Sequence, residues 1–416
     1  MKKVLVIAYF YPPMVRVGGR RWFLFVKYMR RSGLDVKVLT CEKAEDKGFD
    51  TTEIHHVKNP GRENLPYYKR VLPEDFLDKI RWHLSYWRDR RKASKLDHDY
   101  FDLSHSWTNG FLEKARDLIQ TQQPDTVFLT VGPFSYSTIL VNLKREFPHV
   151  KMVVDYRDDW FRDRPKLSAR QAQGELLRER EMLQAVDLIT TVDSNITSLI
   201  RKAHPGLNTP ILDIPHGYDA DDFLGVPAFE EKPSNGGVKL IYGGACYLGV
   251  EKYYSNFRQL MEMNPGLTVD FYFTFLSDDV KNVLENFDQA RFLPPVSRQE
   301  MLDIQRFQSD INLVFYPDTN HSARTSKFYE LIKCGKPIWY FGPDGDTARF
   351  IRANGLGLTF SNPEDLRKMH RDDLQSFKIN LSVLEENSIG NITLRLMKAV
   401  ENIDVLAGSQ GEKASL

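Results

Sequence analysis

A strand, a polar loop and a helix follow one another in the stretch INLVFYPDTNHSARTSKFYELIKCGKP, residues 311–337. Its first five residues are short and mostly apolar, which is typical of a strand buried in a sheet. Thr325 or Ser326 is placed to cap the helix, and Gly335 is placed to end it before the next apolar run. This order of elements predicts a βαβ unit with parallel strands.

The same alternation recurs along the whole chain. The predicted strands are 3–10, 35–40, 126–130, 151–156, 188–192 and 211–214 in the first half, and 238–242, 268–275, 291–293, 311–315, 337–341 and 357–360 in the second. A cluster of Pro, Ser and Gly at 230–237 lies between the halves and predicts a linker. We therefore predict an α/β protein with two doubly wound parallel sheets, in two Rossmann-like domains that face a cleft.

The predicted domain limits follow from this pattern. Residues 1–225 form the first domain and residues 226–380 the second. A C-terminal helix, 381–406, returns to the first domain, and the small polar tail 407–416 is disordered.

Composition and charge exclude several classes of protein. The 416 residues are 42% hydrophobic and 27% charged, as in a folded soluble protein, and 57 basic against 56 acidic residues leave a net charge of +1. Such a neutral chain has no global field that would attract nucleic acid. Cys41, Cys246 and Cys334 lie far apart, which predicts neither a disulfide framework nor a zinc site and favours the cytoplasm. The apolar start breaks at Pro12-Pro13, so we expect a buried strand rather than a secretory signal, and no membrane span.

Residues just after the strands are the candidates for binding, because ligands of open parallel sheets lie beyond the carboxyl ends of the strands. Gly18 and Gly19 precede a helix, and Gly243 and Gly244 follow a strand. Glycines at such places let a backbone approach a phosphate closely. At Gly18 and Gly19 the competing interpretation is a tight turn followed by surface arginines such as Arg21, and at Gly243 and Gly244 it is a tight turn without a ligand.

Charged residues follow two of the strands. Arg157 and Asp158 could position sugar hydroxyls or take a proton, or they could form an ion pair that orders a loop. A phosphate near the helix that begins at residue 326 would meet free amides, the helix dipole and two cations, Arg324 and Lys327. The structural alternative is an ion pair between Lys327 and Glu330 on the solvated face of the helix, which would stabilise the helix by only about a few tenths of a kcal/mol.

Segment 67–95 is locally basic and aromatic. One helical stripe of its apolar residues is typical of a core contact, whereas a second aromatic and basic side would allow contact with a membrane surface. Asp-x-Asp triplets at 97–99, 219–221 and 344–346 are explained by chance and by helix capping, so no metal site is predicted.

Four motifs stand in order along the chain: YPP at 11–13 with GG at 18–19, RDDW at 157–160, IPHGYD at 214–219, and SKFYE at 326–330 followed by GKP at 335–337. Together they resemble the family-4 glycosyltransferases, which have the GT-B fold. The resemblance covers nearly the whole chain. It implies transfer of a sugar from a nucleotide-sugar donor to an acceptor hydroxyl, with retained anomeric configuration and without a metal or other cofactor.

The resemblance also implies roles for individual residues. The donor diphosphate would be held by Gly243, Gly244, Arg324 and Lys327, the ribose by Glu330, and the base by the loop that contains Val296 and Arg298. Gly18 and Gly19 would face the transferred sugar across the cleft. The acceptor side would hold Arg157 and Asp158, with His105 as a further candidate. The catalytic set would be Arg324, Lys327 and Asp158.

Two positions depart from the family pattern. The family often has Glu-x7-Glu, but Ser322 stands eight residues before Glu330, and His216 replaces the usual Asn of the hinge motif. The resemblance as a whole implies a hexosyl- or N-acetylhexosaminyltransferase of bacterial-type polysaccharide or glycan assembly. Its acceptor would be a glycan or a lipid-linked glycan, in the cytoplasm or on the inner face of the membrane. A nucleotide-sugar epimerase and a non-catalytic nucleotide-sugar binder are the alternatives.

Overall fold

The computed structural model describes residues 2–12, 17–41, 53–57, 103–160, 167–224, 237–246, 248–318, 324–362, 364–365, 382–403 and 405. The chain forms two compact units, one of Met1–Ile214 with Thr393–Leu416 and the other of Pro215–Ile392. Segment 67–95, Ser322, the tail 407–416 and the predicted linker up to residue 236 lie outside the described residues. Among the described helices, none is long and apolar enough to cross a membrane.

The first unit is built on a parallel sheet with the order β3-β2-β1-β4-β5-β6-β7 in the described part of the chain. Its strands are β1 (Lys3–Ala8), β2 (Asp35–Cys41), β3 (Ile54–Val57), β4 (Thr126–Thr130), β5 (Lys151–Tyr156), β6 (Leu188–Thr191) and β7 (Ile211–Asp213). The order reverses between β1 and β4, whose register runs from Val4 opposite Thr126 to Ala8 opposite Thr130.

The second unit has a parallel sheet with the order β10-β9-β8-β11-β12-β13 in its described residues. Its strands are β8 (Val238–Ala245), β9 (Leu267–Phe275), β10 (Ala290–Leu293), β11 (Ile311–Phe315), β12 (Ile338–Phe341) and β13 (Gly357–Phe360). Here the order reverses between β8 and β11. Both sheets therefore have a topological switch point, which is where doubly wound sheets bind ligands.

Helices connect the strands in both units. They are α1 (Val17–Arg31), α2 (Thr108–Gln122), α3 (Ile139–Glu146), α4 (Ala169–Ala185), α5 (Ser194–Ala203), α6 (Glu251–Glu262), α7 (Asp278–Val283), α8 (Arg298–Phe307), α9 (Ser326–Lys333), α10 (Asp346–Ala353), α11 (Ser382–Glu386) and α12 (Ile389–Glu401). Several start at a side-chain cap: Ser168 forms a capping box with Gln171, and Ser297 and Thr325 each accept a backbone N–H of the first turn.

Apolar strands covered by helices build a separate core in each unit. Ile7, Leu129 and Val154 of adjacent strands are fully buried in the first core. In the second core the rings of Tyr254 and Phe315 stack with centroids 4.0 Å apart. Continuous apolar runs, rather than alternating ones, are what strands covered on both faces require.

The predicted fold class is confirmed, and each predicted strand forms with small shifts at its ends. Strand β3 was not predicted, because the sequence Ile-His-His-Val is short and half polar. The helical pattern at 381–403 forms two helices instead of one. Ser388 lies between them and makes a β-bridge with Tyr218, which interrupts the helical backbone.

Candidate functional site

A cavity of about 70 Å³ lies at the switch point of the second unit, beyond the carboxyl ends of β8 and β11. Its walls come from these two strands and from the first turns of α9: Tyr242, Gly244, Ala245, residues 313–316, Thr325, Lys327, Phe328 and Leu331. The strand–loop–helix stretch that predicts the fold therefore also builds this cavity.

Lys327 carries the cation of the cavity. Thr325 caps α9 by accepting the Phe328 N–H at 3.4 Å, which places Lys327 in the first helical turn. The Lys327 Nζ lies 4.7 Å from the centroid of the Tyr242 ring, a distance typical of a cation–π contact. Within the described part of the chain the ammonium makes no hydrogen bond and has no carboxylate within ion-pair distance.

Burial makes the Lys327 ammonium easier to deprotonate. It lowers the pKa of the Lys327 ammonium from 10.5 to about 8, and the negative charge of Glu330 opposes this shift only in part. A desolvated cation without a paired anion gains most from an anionic ligand.

The glycine pair at the end of β8 allows this arrangement. Gly244 has φ +142°, and a Cβ there would lie 2.5 Å from the Lys327 Nζ. A Cβ on Gly243 would overlap the side chain of Met301. Glycine thus leaves room for the end of the Met301 side chain at position 243 and for the Lys327 head group at position 244, where the positive φ also favours glycine.

Arg324 lies just before the helix cap but does not line the cavity. Its Nε donates to the Tyr329 hydroxyl at 3.0 Å, and its guanidinium lies 4.6 Å from the centroid of the Phe350 ring. The two predicted phosphate-binding cations thus have different surroundings, and only Lys327 faces the cavity.

An ion cluster follows one turn further along α9. Arg298, the first residue of α8, donates from Nη2 to Glu330 Oε1 at 2.5 Å and to Asp222 Oδ2 at 2.6 Å. Burial by itself would lower the pKa of the Arg298 guanidinium, but the two carboxylates raise it. Val296, in the same loop, packs against a small apolar cluster of Ile241, Tyr272 and Ile304.

The switch point of the first unit brings three strand ends together. Arg157, after β5, donates to the backbone carbonyl of Gly132, which follows β4. Its guanidinium lies 5.6 Å from the centroid of the Phe10 ring, which follows β1. Gly132 has φ +95°, and a Cβ there would lie 3.0 Å from Arg157 Nη2. Arg157 is thereby fixed, and its Nε also lies 3.4 Å from Oδ2 of Asp158, whose side chain is 57% exposed.

The segment that carries Arg157 and Asp158 is anchored on both sides to α4. The Tyr156 hydroxyl donates to Glu179 Oε1 at 2.9 Å, and the Trp160 indole N–H donates to Glu175 Oε2 at 2.8 Å. Burial raises the pKa of the Glu179 carboxyl, and its contact with His204 at 2.9 Å opposes that shift.

The residues around Gly19 have structural roles. A Cβ on Gly19 would lie 3.2 Å from the Phe10 carbonyl oxygen, so glycine lets α1 pack closely on the end of β1. Gly18 lies in the first turn of the same helix. Arg21, expected at the surface if the glycine pair were only a turn, is buried instead. Its Nε and Nη2 each donate to the Asp155 carboxylate at 3.0 Å.

His105 lies in a 3₁₀ turn, Leu103–Trp107, directly before α2, and is partly buried. The adjacent Ser104 hydroxyl accepts the Tyr136 N–H at 3.0 Å, which ties this turn to the segment after β4. The acceptor-side role of His105 stays a prediction.

A larger cavity, of about 830 Å³, lies at the opposite, amino edge of the first sheet, between the strands and α12. Lys151 Nζ donates there to the Val400 carbonyl at 2.8 Å, and Lys2 pairs with Glu401. These lysines hold the end of α12. In the described residues, no group of three or more His, Cys, Asp or Glu side chains is arranged to hold a metal ion.

No family profile and no curated protein sequence matches this chain. Solved structures do match. The N-terminal domain of trehalose-6-phosphate phosphatase from Candida albicans has a TM-score of 0.63 at 12% identity, with 97% of each chain covered. The chain has the fold of this protein.

Two further structures share that fold. The lipopolysaccharide outer core galactosyltransferase WaaB has a TM-score of 0.60 at 9% identity, with 96% of this chain and 99% of that chain covered. The UDP-GlcNAc 2-epimerase from Neisseria meningitidis, bound to UDP-GlcNAc, has a TM-score of 0.50 at 13% identity, with 97% and 100% covered. Glycosyltransferases and epimerases are thus both among the proteins with this fold.

Of the predicted donor-side residues, the structure brings Gly244 and Lys327 together at the cavity, and it pairs Glu330 with Arg298 beside it. Sequence reasoning missed Tyr242 and Tyr316, which line the cavity. Their position at the ends of strands could have indicated them. It also missed Asp222, which is 76 residues from Arg298 along the chain and carries no local signal.

Proposed function

We propose that this chain is a glycosyltransferase that moves a sugar, a hexose or an N-acetylhexosamine, from a nucleotide sugar to a hydroxyl of a glycan or lipid-linked acceptor with retention. The observation that carries the proposal is the Lys327 ammonium. It lies against Gly244 in the switch-point cavity and has no paired anion in the described residues. A diphosphate would supply that anion, and the free amides at the start of α9 would add donors.

The chemistry follows from the charge that develops during transfer. As the bond between the sugar and the diphosphate breaks, negative charge grows on the departing phosphate oxygen. A cation and helix amides fixed beside that oxygen stabilise the transition state electrostatically. In the proposal Lys327 has this role, Arg324 is the second cation, and Asp158 of the first unit accepts the proton of the acceptor hydroxyl.

A binding experiment tests the phosphate site. Uridine, guanosine and adenosine diphosphates are first screened by thermal shift. Calorimetry then measures the affinity of the parent, of Lys327→Met and of Lys333→Met for the nucleotide that raises the melting temperature most. Lys333 is the matched control, because it lies in the same helix and its Nζ is 5.2 Å from the Tyr218 ring.

We expect Lys327→Met to weaken the binding of the diphosphate by about 10- to 100-fold, because that is the contribution of a charge-assisted contact. Its affinity for the nucleoside should stay almost unchanged. Lys333→Met should bind like the parent. If Lys327→Met also binds like the parent, the phosphate site is elsewhere.

Product analysis tests the reaction. The bound nucleotide identifies the donors to be tried, with and without a glycan acceptor. A new glycoside together with released nucleoside diphosphate supports transfer. An epimerised nucleotide sugar without acceptor would mean an epimerase, and tight binding without any product would mean a binding protein. We also expect turnover to survive EDTA, and loss that Mg²⁺ restores would contradict the metal-free proposal.

Contact with the inner face of the membrane through segment 67–95 remains part of the proposal, although the segment lies outside the described residues. Co-sedimentation with anionic vesicles should fall when Lys79, Trp82, Tyr86 and Arg90 are changed together. Unchanged sedimentation of a folded variant would contradict this contact.

A further inference from the structure

The ring of Tyr242 is the group that the Lys327 ammonium faces in the cavity of the second unit. The Lys327 Nζ lies 4.7 Å from the centroid of this ring, and both side chains line the cavity. In the described part of the chain no carboxylate pairs with this ammonium, and Glu330, whose charge acts on it from one turn away, is bound to Arg298. A buried cation is costly without compensation, and here the negative face of an aromatic ring contributes it.

The Tyr242 ring is itself held on several sides. Its hydroxyl donates to the Ala245 carbonyl at 2.7 Å, which ties the ring to the end of β8. Its centroid lies 5.4 Å from that of Phe273 and 5.4 Å from that of Phe315, and the ring of Tyr254 meets it edge-on at 6.4 Å. A buried ring packed in this way presents one fixed face to the ammonium.

An aromatic face compensates a cation in a different way from a carboxylate. A carboxylate would neutralise the charge and would compete with an anionic ligand for the same ammonium. The ring attracts the ammonium through its quadrupole but carries no net charge, so the whole positive charge remains for a ligand. Gly244 leaves the necessary space, because a Cβ there would lie 2.5 Å from the Lys327 Nζ and 3.9 Å from the Tyr242 hydroxyl.

We propose that Tyr242 is a positioning residue, whose aromatic face holds the Lys327 ammonium against the Gly244 backbone and keeps the cation available for the phosphates of the donor. The consequence for binding rests on the proposed function, because it takes the cavity at Lys327 as the phosphate site. The contact between ring and ammonium belongs to the free protein, so it can be tested without a ligand.

Several titratable groups surround this ammonium. Tyr242 of β8 and Tyr316 after β11 line the cavity with it, Tyr254 of α6 lies against the Tyr242 ring, and Glu330 acts from the same helix. Burial lowers the pKa of Lys327 to about 8, and Glu330 opposes this shift in part. The ring also favours the charged form, so a ring with a weaker negative face should lower the pKa of Lys327 further.

The first test follows the protonation of Lys327 in the free protein. Magnetic resonance of lysines labelled with ¹³C at Cε measures it, and Lys327→Met assigns the signal. Tyr242→Phe keeps the ring, and phenylalanines with two and then three ring fluorines at position 242 keep its shape and weaken its negative face in steps. We expect Tyr242→Phe to titrate like the parent, and the fluorinated rings to lower the titration midpoint stepwise, by about 0.4–1.5 pH units in total.

Lys333 provides the internal control, because it lies in the same helix and its Nζ is 5.2 Å from the Tyr218 ring. Its signal should be the same in all variants of position 242.

The second test is the affinity for uridine 5′-diphosphate, or for the diphosphate of the base that the parent prefers, measured by calorimetry at pH 6 and pH 8. At pH 8 the trifluorinated ring should weaken binding by about 2- to 15-fold, because less of the lysine is protonated there. At pH 6 the lysine is mostly protonated in each variant, so the difference should nearly vanish. A packing defect would weaken binding equally at both pH values.

The outcomes separate the two proposals. If Lys327 titrates at the same pH with every ring, the positioning role of Tyr242 is wrong, whatever the protein binds. If its midpoint falls with fluorination and the parent binds no nucleoside diphosphate, Tyr242 holds the ammonium and the proposed function fails. If the midpoint falls but the loss of affinity is equal at pH 6 and pH 8, the ring does not act on the phosphates through Lys327. Should the trifluorinated protein not fold by circular dichroism, the difluorinated protein decides by the same measurements.

Discussion

Lys327 shows at the scale of a single residue how burial prepares a group for binding. Its ammonium lies between the Tyr242 ring and the backbone of Gly244, and burial lowers its pKa to about 8. The protein therefore keeps a cation that is poorly solvated and only weakly compensated near neutral pH. Such a group is unfavourable for stability and favourable for binding an anion.

The lowered pKa of Lys327 predicts how diphosphate affinity depends on pH. An anion binds the protonated lysine better, so affinity must fall as pH rises through the pKa of the free protein. We expect the dissociation constant to change little well below a pH of about 8 and to rise above it, with a slope of at most tenfold per pH unit. Calorimetry between pH 7 and 9.5 measures it, a range in which the phosphates are already ionised.

Lys327→Met provides the control for this titration, because it removes the titrating group. Its weaker binding should be independent of pH in the same range. A parent profile that is equally flat would mean that Lys327 does not meet the phosphates.

The buried pair of Arg21 and Asp155 predicts a large effect on stability. Both side chains are 1% exposed, and Asp155 also accepts from the Trp22 indole at 2.9 Å and the Thr190 hydroxyl at 2.8 Å. Burial alone would raise the pKa of the Asp155 carboxyl, but Arg21 and these donors lower it. Asp155→Asn removes the buried carboxylate charge with which Arg21 pairs, so we expect a loss of about 3–5 kcal/mol in the free energy of unfolding.

Urea unfolding at pH 7 checks this value. Asp158→Asn is the matched control, because its carboxylate is exposed and its removal should change stability by less than about 0.5 kcal/mol. Equal effects of the two substitutions would contradict the buried-pair account.

At the scale of elements, helix α4 holds the segment after β5 at two points, through Tyr156 and Trp160. Glu175 and Glu179 are four residues apart, so they lie on one face of the helix and accept both bonds. Two buried carboxylates are thus used to order five residues, among them Arg157 and Asp158.

This anchoring predicts a local change in dynamics. Tyr156→Phe removes one donor and leaves a buried Glu179 oxygen without it, so the amides of 157–160 should exchange faster with solvent. Hydrogen–deuterium exchange measured by mass spectrometry tests it. Tyr242→Phe, which removes a 2.7 Å bond to the Ala245 carbonyl in the other unit, should leave this exchange unchanged. Unaltered exchange in Tyr156→Phe would mean that α4 does not order the segment.

At the scale of the whole molecule, two compact units with a proposed nucleotide site in the second predict two responses to heat. The proposed nucleotide site is built from the second unit alone. A nucleoside diphosphate at one hundred times its dissociation constant should therefore raise the free energy of unfolding of that unit by about 2.7 kcal/mol. The first unit should not respond. Differential scanning calorimetry should therefore show two transitions, of which the ligand raises one.

Asp155→Asn assigns the transitions, because it weakens only the first core. The transition that it lowers should be the one that the nucleotide leaves in place. A single transition that shifts as a whole in both experiments would contradict independent units.

The amino-acid sequence by itself determined the described strands other than β3, the helix that starts at Ser326, and the alternation of strands with helices. Apolar runs and helical periodicity depend on only a few neighbouring residues, so the stretch 311–337 correctly predicts its strand and its helix. It leaves the cap open between Thr325 and Ser326, and the structure shows Thr325. The alternation of strands and helices along the chain then predicts parallel sheets. Because ligands of such sheets bind beyond the carboxyl ends of the strands, the sequence also predicts that Gly244 and Lys327 lie near a binding site, and both line the cavity.

Only the tertiary structure decided which distant side chains meet. Arg21 and Asp155 are 134 residues apart, and Arg298 and Asp222 are 76 apart. Such pairs depend on the register of parallel strands and on how a helix packs across them, which local periodicity does not encode. The same reason explains why Arg21 looks like a surface residue in the sequence and is buried in the fold. It also explains why a continuous helical pattern is interrupted at Ser388, where Tyr218 pairs with its backbone.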